Sequence, residues 1–448
     1  MGEEGSSLNP CLPAVSKFHS SLFRFHSFPN LTPSPLRFLI FNPFDDIPGE
    51  GPVLRYQTLA RCLAERGHEV IWYSADFSHR RKLKRKLPQE DLPFTLKLLP
   101  VRSYQKNISL ARLRSHADYA RGIRQLAGTP PPDSTPTRII ASLPPLGSVS
   151  AALYLGRQWQ APVIVDLMDA WPETFSRLLP FRPGSLPNTL LSRLLFAPWY
   201  RTAKKAYRQA DALSACAQTY LDLAHRRGAR QPHHLCYHGT DLPHSPSTLR
   251  PSPSPLSSPP SPLRLTYIGA MEHTYDLPTV FRALELAREA DLPVELHLAG
   301  EGTQAENWKT LAEKNNLLSE GTVTFHGHLK QEQLRELLAQ SHVGIVPMDP
   351  ASAVAVPYKA ADYTAAGLPI LSCLDNELGD LIQSFDAGYP YQHQDPESLF
   401  ERLRTYHNHP ETLTTHRHGA RQLAQSLFDR PKTYEGFCEF LEKIVLMK

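Results

Sequence analysis

The sequence predicts an α/β protein made of two successive domains, each built around a parallel sheet. The first observation is a strand at residues 37–41, a loop dense in turn formers at 42–52, a helix, and a second strand at 70–73. That order is a βαβ unit, in which a helix joins two parallel strands. The second observation is a new strand and helix series from residue 263 onwards, and the third is a Pro/Ser-rich stretch between the two series. Sheets of this kind bind ligands at the carboxyl ends of their strands.

The composition is that of an ordinary globular protein and narrows the range of functions. Of the 448 residues, 41% are hydrophobic and 21% are charged, and the net charge is +4. A charge this small for the length does not indicate nucleic acid as a partner. No run of about 18 apolar residues occurs, so no membrane-spanning helix is predicted. The six cysteines include no CxxC pair, which is typical of a protein from a reducing compartment.

Residues 1–36 are predicted to be a disordered leader. They are rich in Ser, Pro and Phe and show neither helical nor strand periodicity. No compact apolar segment follows a basic start, so they do not have the pattern of a signal peptide.

The first domain is predicted to span residues 37–242. After the first loop, Leu59 and Leu63 recur at helical spacing, and Gly67 ends the pattern. Gly49 and Gly51 are too few and wrongly spaced for the GxGxxG fingerprint. A nicotinamide-dependent enzyme is therefore not expected.

Two further strands are predicted at residues 138–141 and 162–166. The second runs into Asp-Leu-Met-Asp-Ala-Trp-Pro-Glu at 166–173, which places acidic and aromatic groups at the carboxyl end of a strand. Asp169 and Glu173 are therefore candidate functional residues. From their spacing alone, a structural role as helix caps is equally good.

One concentrated basic run, His-Arg-Arg-Lys-Leu-Lys-Arg-Lys at residues 79–86, follows the second strand. A solvated surface loop is the simpler interpretation. The alternative is peripheral contact of residues 80–86 with an anionic membrane, where each basic residue contributes about 1 kcal/mol.

Residues 243–262 are predicted to be a linker. They contain eight prolines and seven serines, a composition that cannot bury a core and favours extended chain. Several histidines precede the linker, namely His233, His234, His238 and His244. Their spacing matches no standard metal pattern, so no metal site is expected.

The second domain is predicted at residues 263–430, with a closing C-terminal helix in 431–448. Its apolar segments alternate with helical patterns, which again indicates a parallel sheet. The predicted strands lie at residues 263–269, 294–300, 322–327, 343–347 and 370–374.

Residues 357–369 are predicted to form a short helix with a charged face and a sharp end. Gly367 suits a left-handed helix cap, and Pro369 cannot continue the helix. Lys359 and Asp362 are three residues apart, which places them side by side near the positive N-terminal end of the helix. This arrangement suits a phosphate at the helix start and a sugar hydroxyl at Asp362. On local grounds, the simpler alternative is a surface helix whose Lys and Asp are solvated.

Several motifs in the second half resemble the retaining glycosyltransferase family 4, "glycosyl transferases group 1". They are Tyr267-Ile-Gly269, residues 298–302 (Leu-Ala-Gly-Glu-Gly), residues 325–327 (Phe-His-Gly) and the helix at 357–369. In the first half, residues 77–80 and 166–173 resemble the WbuB-like subgroup. The resemblance covers about residues 37–445. It implies a GT-B fold, in which two Rossmann-like domains with parallel sheets face a central cleft.

The resemblance also implies roles for individual residues. The residues that it places at the nucleotide-sugar donor are Gly51, Gly269, Lys359, Asp362 and Tyr363. Lys359 is expected to meet the diphosphate, and Asp362 matches the second acidic residue of the family's E-x7-E motif. Asp169 and Glu173 are expected to act in catalysis on the acceptor side.

The sequence departs from the family pattern at three places. Val354 occupies the first acidic position of E-x7-E, and Asp362 is shorter than the usual Glu. The loop at residues 142–145, Ser-Leu-Pro-Pro, lacks the histidine that many relatives carry near the reacting carbon.

The implied activity is transfer of a sugar from a nucleotide-diphosphate sugar to a glycan or lipid-linked acceptor, with retention at the anomeric carbon, in cell-surface polysaccharide synthesis. No D-x-D motif occurs, so metal-independent transfer is expected, with the nucleotide sugar as co-substrate and no cofactor. The expected location is the cytoplasm, at the inner face of the plasma membrane. The alternatives are a nucleotide-sugar epimerase of the same fold and a catalytically silent sugar-nucleotide-binding module.

Overall fold

The computed structural model describes residues 34–130, 133–181, 185–242 and 262–446. The predicted leader lies outside this part of the chain except for its last three residues. The predicted linker lies outside it except for Pro262.

The first lobe is built on a sheet of seven parallel strands in the order β3-β2-β1-β4-β5-β6-β7. The strands are β1 (Arg37–Phe41), β2 (Glu69–Ala75), β3 (Thr95–Leu99), β4 (Thr137–Leu143), β5 (Val163–Leu167), β6 (Ala212–Ala215) and β7 (His233–Leu235). The central strands β1, β4 and β5 are buried along their whole length, as expected for a parallel sheet covered on both faces.

The helices of the first lobe connect these strands. They are α1 (Arg55–Glu65), α2 (Leu110–Gln125), α3 (Leu146–Trp159), α4 (Leu186–Leu195), α5 (Ala197–Gln209) and α6 (Gln218–Arg226). Short 3-10 turns at Leu126–Gly128 and Glu173–Leu178 complete the connections.

The second lobe is built on a sheet of six parallel strands in the order β10-β9-β8-β11-β12-β13. The strands are β8 (Leu263–Ile268), β9 (Val294–Ala299), β10 (Val323–Gly327), β11 (Val343–Val346), β12 (Ile370–Ser372) and β13 (Gly388–Pro390). The helices are α7 (Leu277–Glu289), α8 (Ala305–Lys314), α9 (Gln331–Gln340), α10 (Tyr358–Ala365), α11 (Glu377–Ser384), α12 (Pro396–Asn408) and α13 (Pro410–Leu423).

The last helix, α14 (Arg430–Lys443), returns to the first lobe. Its apolar face, with Phe437 and Leu441, joins the core between the first sheet and α1. Arg66, directly after α1, donates to Glu442 at 2.5 and 2.9 Å. Residues from the end of the chain therefore complete the first lobe.

The chain crosses between the lobes at two places that lie side by side. The backbone N–H of Thr240 donates to the Phe428 carbonyl at 2.9 Å, and the N–H of Arg430 donates to the Thr240 carbonyl at 3.1 Å. A Cβ on Gly239 would lie 2.8 Å from the Cα of Arg430. Only a glycine allows the two crossings to approach this closely.

The carboxyl edges of the two sheets face each other. Tyr358, which follows β11, stacks on His238, which follows β7, with ring centres 3.7 Å apart. One apolar core runs from the first lobe into the second across this junction. The two lobes therefore enclose a shared region at the edges where parallel sheets bind ligands.

Several elements of the described residues were not anticipated from the sequence, among them the short strands β6, β7 and β13. The edge strand β3 and the following helix α2 lie in a region where the sequence gives no clear period. Among the described residues, no helix has the length and apolarity needed to cross a membrane.

Candidate active site

Helix α10 begins at the carboxyl edge of the second sheet, after β11. Pro357 precedes it with extended backbone, at ψ 148°, and turns the chain into the helix. The helix ends before Gly367, which has φ +70°, as its predicted cap role requires. A Cβ on Gly367 would also lie 2.7 Å from Arg421 Nε. Both the backbone conformation and the packing therefore require glycine here.

Lys359 is buried in the first turn of α10 and has no hydrogen-bond partner. It is 6% exposed. Its Nζ lies 3.8 Å from the centre of the Tyr267 ring and 4.0 Å from that of Tyr275. No acceptor among the described residues contacts Nζ, and burial holds the pKa of Lys359 well below its usual value. An amino group between ring faces, without a carboxylate, is suited to take up a proton and pair with an anionic ligand.

Gly269 lies beside this amino group, at the end of β8. A Cβ on Gly269 would lie 3.4 Å from Lys359 Nζ. A Cβ on Gly300, at the end of β9, would clash with the Gly269 carbonyl oxygen. The strand order reverses between β8 and β11, the place where open α/β sheets bind ligands. Lys359 and Gly269 therefore lie together at the switch point of the second sheet.

Asp362 does not join Lys359. Its carboxylate is hydrogen-bonded to the Thr240 side chain and lies near Arg430, and burial raises its pKa. Asp362 therefore connects α10 to the crossing between the lobes. The side-by-side pair that the spacing predicts does not form. The solvated-helix alternative is also wrong, because Lys359 is buried and Asp362 is half-buried.

Tyr363 lies behind the site, in the core of the second lobe. It is fully buried, and its hydroxyl accepts from the Ile268 backbone N–H at 2.9 Å and donates to the Ile345 carbonyl at 3.3 Å. Its ring fills the space that a side chain at Gly344 would need. Tyr363 thus joins β8 to β11 and does not reach the surface of the site.

Val354 lies on the segment between β11 and α10. Its carbonyl accepts from Asn376 Nδ2 at 2.7 Å. The Tyr220 hydroxyl, on α6, accepts from the neighbouring Ala355 N–H at 3.3 Å. This segment is therefore held between the N-terminus of α11 and the first lobe.

Glu377 is a carboxylate at this junction that the sequence analysis did not single out. It accepts from the backbone N–H groups of Gln218 and Thr219, each at 2.8 Å, and from the Tyr237 hydroxyl at 2.6 Å. All three donors belong to the first lobe, so Glu377 joins the lobes. Its position in the first turn of α11, directly after the cap Asn376, is the one signal in the sequence that could have marked it.

Gly51 lies in the charged loop after β1. A Cβ there would clash with the Arg80 guanidinium and the Asp46 carboxylate, which pair at 2.7 Å. Asp45, in the same loop, accepts the backbone N–H of Tyr56 at 3.0 Å. Burial raises the pKa of Asp45 to about 6.

Asp169 and Glu173 follow β5, as predicted, but have different surroundings. Asp169 accepts the backbone N–H of Ala170 at 2.7 Å, and burial raises its pKa to about 6. Glu173 pairs with Arg227, and burial raises its pKa as well. Asp169 is therefore the freer of the two carboxyl groups, while Glu173 is engaged in an ion pair within the first lobe.

Most charges of the basic run at residues 80–86 are paired inside the first lobe. Arg80 contacts Asp46 at 2.7 Å, and Lys84 contacts Asp76 at 2.7 Å. Arg85 is buried and pairs with Glu50 at 3.0 Å. The run therefore folds around the loop after β1 and is not a freely solvated segment.

A buried ion pair lies under the first lobe's carboxyl edge. Arg55 donates to Asp166 at 2.7 and 2.9 Å and to the Cys236 carbonyl at 2.6 Å. Asp166 also accepts from the Tyr56 hydroxyl at 2.6 Å and from Ser214 at 2.7 Å. Every group in this network has a partner. Across the described ranges, no three His, Cys, Asp or Glu side chains form a group that could hold a metal ion.

Two family models match the chain, one in each lobe. The "Glycosyl transferase 4-like domain" model matches residues 50–239, and the "Glycosyl transferases group 1" model matches residues 262–409. The chain carries the two domains of a glycosyltransferase of the family 4 type. The WbuB-like subgroup stays a prediction.

The curated relatives of this glycosyltransferase-type chain match only part of it. Glycogen synthases of two Mycobacterium tuberculosis strains are 27% identical over 167 residues, which is 37% of this chain and 39% of theirs. The match therefore spans about two fifths of those proteins.

Solved structures resemble nearly the whole chain. Sucrose-phosphate synthase from Thermosynechococcus elongatus has a TM-score of 0.67 at 14% identity, covering 90% of this chain and 98% of that one. HepE of Anabaena, in complex with UDP and glucose, has a TM-score of 0.59 at 14% identity, covering 91% and 100%. WaaG, involved in lipopolysaccharide biosynthesis, has a TM-score of 0.60 at 16% identity, covering 90% and 99%. The predicted GT-B fold is confirmed.

Proposed function

We propose that the chain transfers a sugar from a nucleotide-diphosphate sugar to a glycan or lipid-linked acceptor, with retention and without a metal ion. The single observation that carries this proposal is Lys359, a buried amino group without an acceptor at the switch point of the second sheet. A diphosphate would supply the missing negative charge. Gly269, with φ +118°, and Gly300, where a Cβ would clash with the Gly269 carbonyl, place no side chain over this amino group.

The proposed reaction forms a bond between the acceptor hydroxyl oxygen and the anomeric carbon. The bond from that carbon to the diphosphate oxygen breaks, and the electron pair leaves with the diphosphate. The acceptor proton passes to a donor phosphate oxygen, so the products are a glycoside and a nucleoside diphosphate. In this scheme, Lys359 stabilises the charge that grows on the leaving group, as preorganised cations do in other enzymes. Asp362 is proposed to hold the donor ribose, and Asp169 to contact the acceptor.

The proposal is tested by binding of nucleotides and nucleotide sugars, beginning with UDP because HepE is solved with it. Lys359→Met should weaken UDP binding by about 10- to 100-fold, since a charge-assisted hydrogen bond contributes about 1.5–3 kcal/mol. Lys309→Met, on the exposed side of α8, is the matched control and should bind as the parent does. Calorimetry measures the affinity of each protein for UDP. Repeating the measurement with EDTA tests whether UDP binding needs a metal ion. Equal UDP affinity of the Lys359→Met variant and the parent would refute the proposed donor site.

Val354 favours a second candidate, a binding module without turnover. The expected acidic residue is missing there, and Glu377, the carboxylate next to Asn376 at this junction, is occupied by first-lobe donors. Release of UDP from a donor only when acceptor is present supports the transferase. Binding without release across an acceptor panel supports the module, and a new sugar formed without any acceptor supports an epimerase.

We also propose that the protein works at the surface of an anionic membrane, on the cytoplasmic side, through α4 and its surroundings. Leu186, Leu190 and Leu194 lie four residues apart on one face of α4 and are 73%, 58% and 74% exposed. Residues 174–210 contain seven Lys or Arg and no Asp or Glu. An exposed leucine stripe among basic residues suits an interfacial helix. The paired charges at residues 80–86 give less support to membrane contact there.

Co-sedimentation with phosphatidylserine vesicles and with neutral phosphatidylcholine vesicles tests the membrane proposal. Replacing Leu190 and Leu194 by Glu should abolish binding to the anionic vesicles. Lys86→Glu is the control in the basic run and should leave it nearly unchanged. Equal binding of the leucine variant and the parent would refute a role for α4.

A further inference from the structure

The carboxyl edge of the first lobe contains a small cavity with aromatic walls, and Arg112 lies next to two of its lining residues. Its lining residues follow different strands, and they include Phe44, Tyr104, His116 and Pro145. His116 also lies against the Trp171 ring, with centres 5.9 Å apart. The cavity is therefore on the side of the junction opposite to the proposed donor site.

Arg112 on α2 is the central cation of this region. Its guanidinium lies 5.8 Å from the centre of the Phe44 ring and 5.7 Å from that of Trp171. Its hydrogen bonds go to neutral acceptors, the Asn107 carbonyl at 2.8 Å, His116 Nε2 at 3.3 Å and the Tyr104 hydroxyl. Among the described residues, no carboxylate lies within ion-pair distance of Arg112.

The groups around Arg112 add little negative charge, and Lys82 adds a positive one. Lys82 donates to Asn107 and lies 4.8 Å from the centre of the Tyr104 ring. His79 is hydrogen-bonded to the Tyr104 hydroxyl at 2.6 Å. Burial, together with the positive charge of Arg112, lowers the pKa of His79 and of His116 to about 3. The negative group that acts on Arg112 is Asp169, which is not paired with it.

A partly desolvated guanidinium without a carboxylate partner costs free energy that an anionic ligand would offset. Arg offers a planar fork of N–H donors that matches phosphate and carboxylate oxygens. The Phe44 and Trp171 rings both lie within 6 Å of that fork. The same region contains Asp169, so an anion on Arg112 would place the rest of a ligand beside a carboxyl group.

We propose that Arg112 binds an anionic group, a phosphate or a carboxylate, of the acceptor substrate. The inference rests on the proposed function, because it takes the first lobe to be the acceptor side. Arg112 is then a specificity-determining residue, and neutral sugars are poor acceptors.

The test uses thermal shifts of the full chain with methyl phosphate, methyl glucuronide or methyl glucoside at equal ionic strength. Lys359→Met serves as the background, so that the anions cannot bind at the proposed donor site. A phosphate ester or a uronate should stabilise this protein, and the neutral glucoside should not. Arg112→Gln should weaken anion binding at least ten-fold. Arg114→Gln removes the same charge from an exposed position on α2 and should have no effect.

A response to methyl phosphate alone supports a phosphate-bearing acceptor, and a response to the glucuronide alone supports an acidic sugar. Equal responses of the Arg112→Gln and Arg114→Gln proteins, or no response to either anion, overturn the proposal. Arg112→Lys keeps the charge and should retain part of the binding, which separates loss of the site from loss of folding. UDP binding to Arg112→Gln with Lys359 intact should equal that of the parent. A failure of UDP binding in the parent would count against the donor site and not against Arg112.

Discussion

Arg55 and Lys359 are both buried basic side chains, one in each lobe, and their surroundings are opposite. Arg55 donates three hydrogen bonds, two to Asp166 and one to the Cys236 carbonyl. Lys359 has two ring faces and no acceptor. Burial of a charge alone therefore does not indicate a binding site. The completeness of its partners separates a structural ion pair from a group that can receive a ligand.

The largest expected effect comes from breaking the complete network. Asp166→Asn should lower the free energy of unfolding by about 3–5 kcal/mol, because it leaves the Arg55 charge buried and uncompensated. Urea unfolding measures the change. Asp133→Asn is the control, since the Asp133 side chain is 53% exposed and its partner Arg37 also pairs with Glu69. Its loss of stability should be much smaller than that of Asp166→Asn. A similar loss in the free energy of unfolding for both variants would contradict the claimed difference between the buried and the exposed ion pair.

Asp45 is an intermediate case, a buried carboxyl group whose hydrogen bond comes from the Tyr56 backbone. Its pKa is raised to about 6 in the folded protein, against about 3.9 when unfolded. Between these values the unfolded chain loses the proton first, so this group makes the protein less stable as the pH rises from about 4 to 6. The pKa difference of about two units corresponds to about 2–3 kcal/mol, at about 1.4 kcal/mol per unit. Asp45→Asn should remove this part of the fall in the free energy of unfolding between pH 4 and 6. Parallel stability curves for variant and parent would contradict the raised pKa.

Lys359→Met should have the smallest effect on stability and the opposite sign. Methionine fills a similar volume without a charge, so the free energy of unfolding at neutral pH should rise by about 1 kcal/mol. The folded-state pKa of Lys359 is low. Between that pKa and about 10.4 the unfolded chain holds the proton that the folded protein has released. The parent should therefore gain stability as the pH rises through this window, and the variant should not. A marked destabilisation of the variant would show that Lys359 is a structural residue like Arg55.

Elements with clear start and stop signals could be predicted from the sequence. Gly367 and Pro369 marked the end of α10, and continuous apolar runs marked β1 and β12. The edge strand β3 was missed, because only its first three residues alternate between exposed and buried positions, and so short a pattern does not separate a strand from a loop. The helix α2 has a weak amphipathic pattern, since its buried positions include Ser115 and His116.

The candidate site could be predicted only in part. Helical spacing correctly placed Lys359 in the first turn of α10, but it could not reveal that Asp362 bonds to Thr240, 122 residues earlier in the chain. Arg112 and Glu377 were missed for the same reason. Their importance depends on which side chains lie near them in space, and no local pattern records that.

The adjacent crossings at Thr240 and Arg430 have a consequence for motion. Two chain segments that run side by side and share hydrogen bonds form one narrow hinge. Such a hinge permits the lobes to rotate about a single line and resists sliding of one lobe past the other. Asp362 bonds to Thr240 on this hinge and lies one turn of helix from Lys359. We therefore expect a ligand bound at Lys359 to change the angle between the lobes.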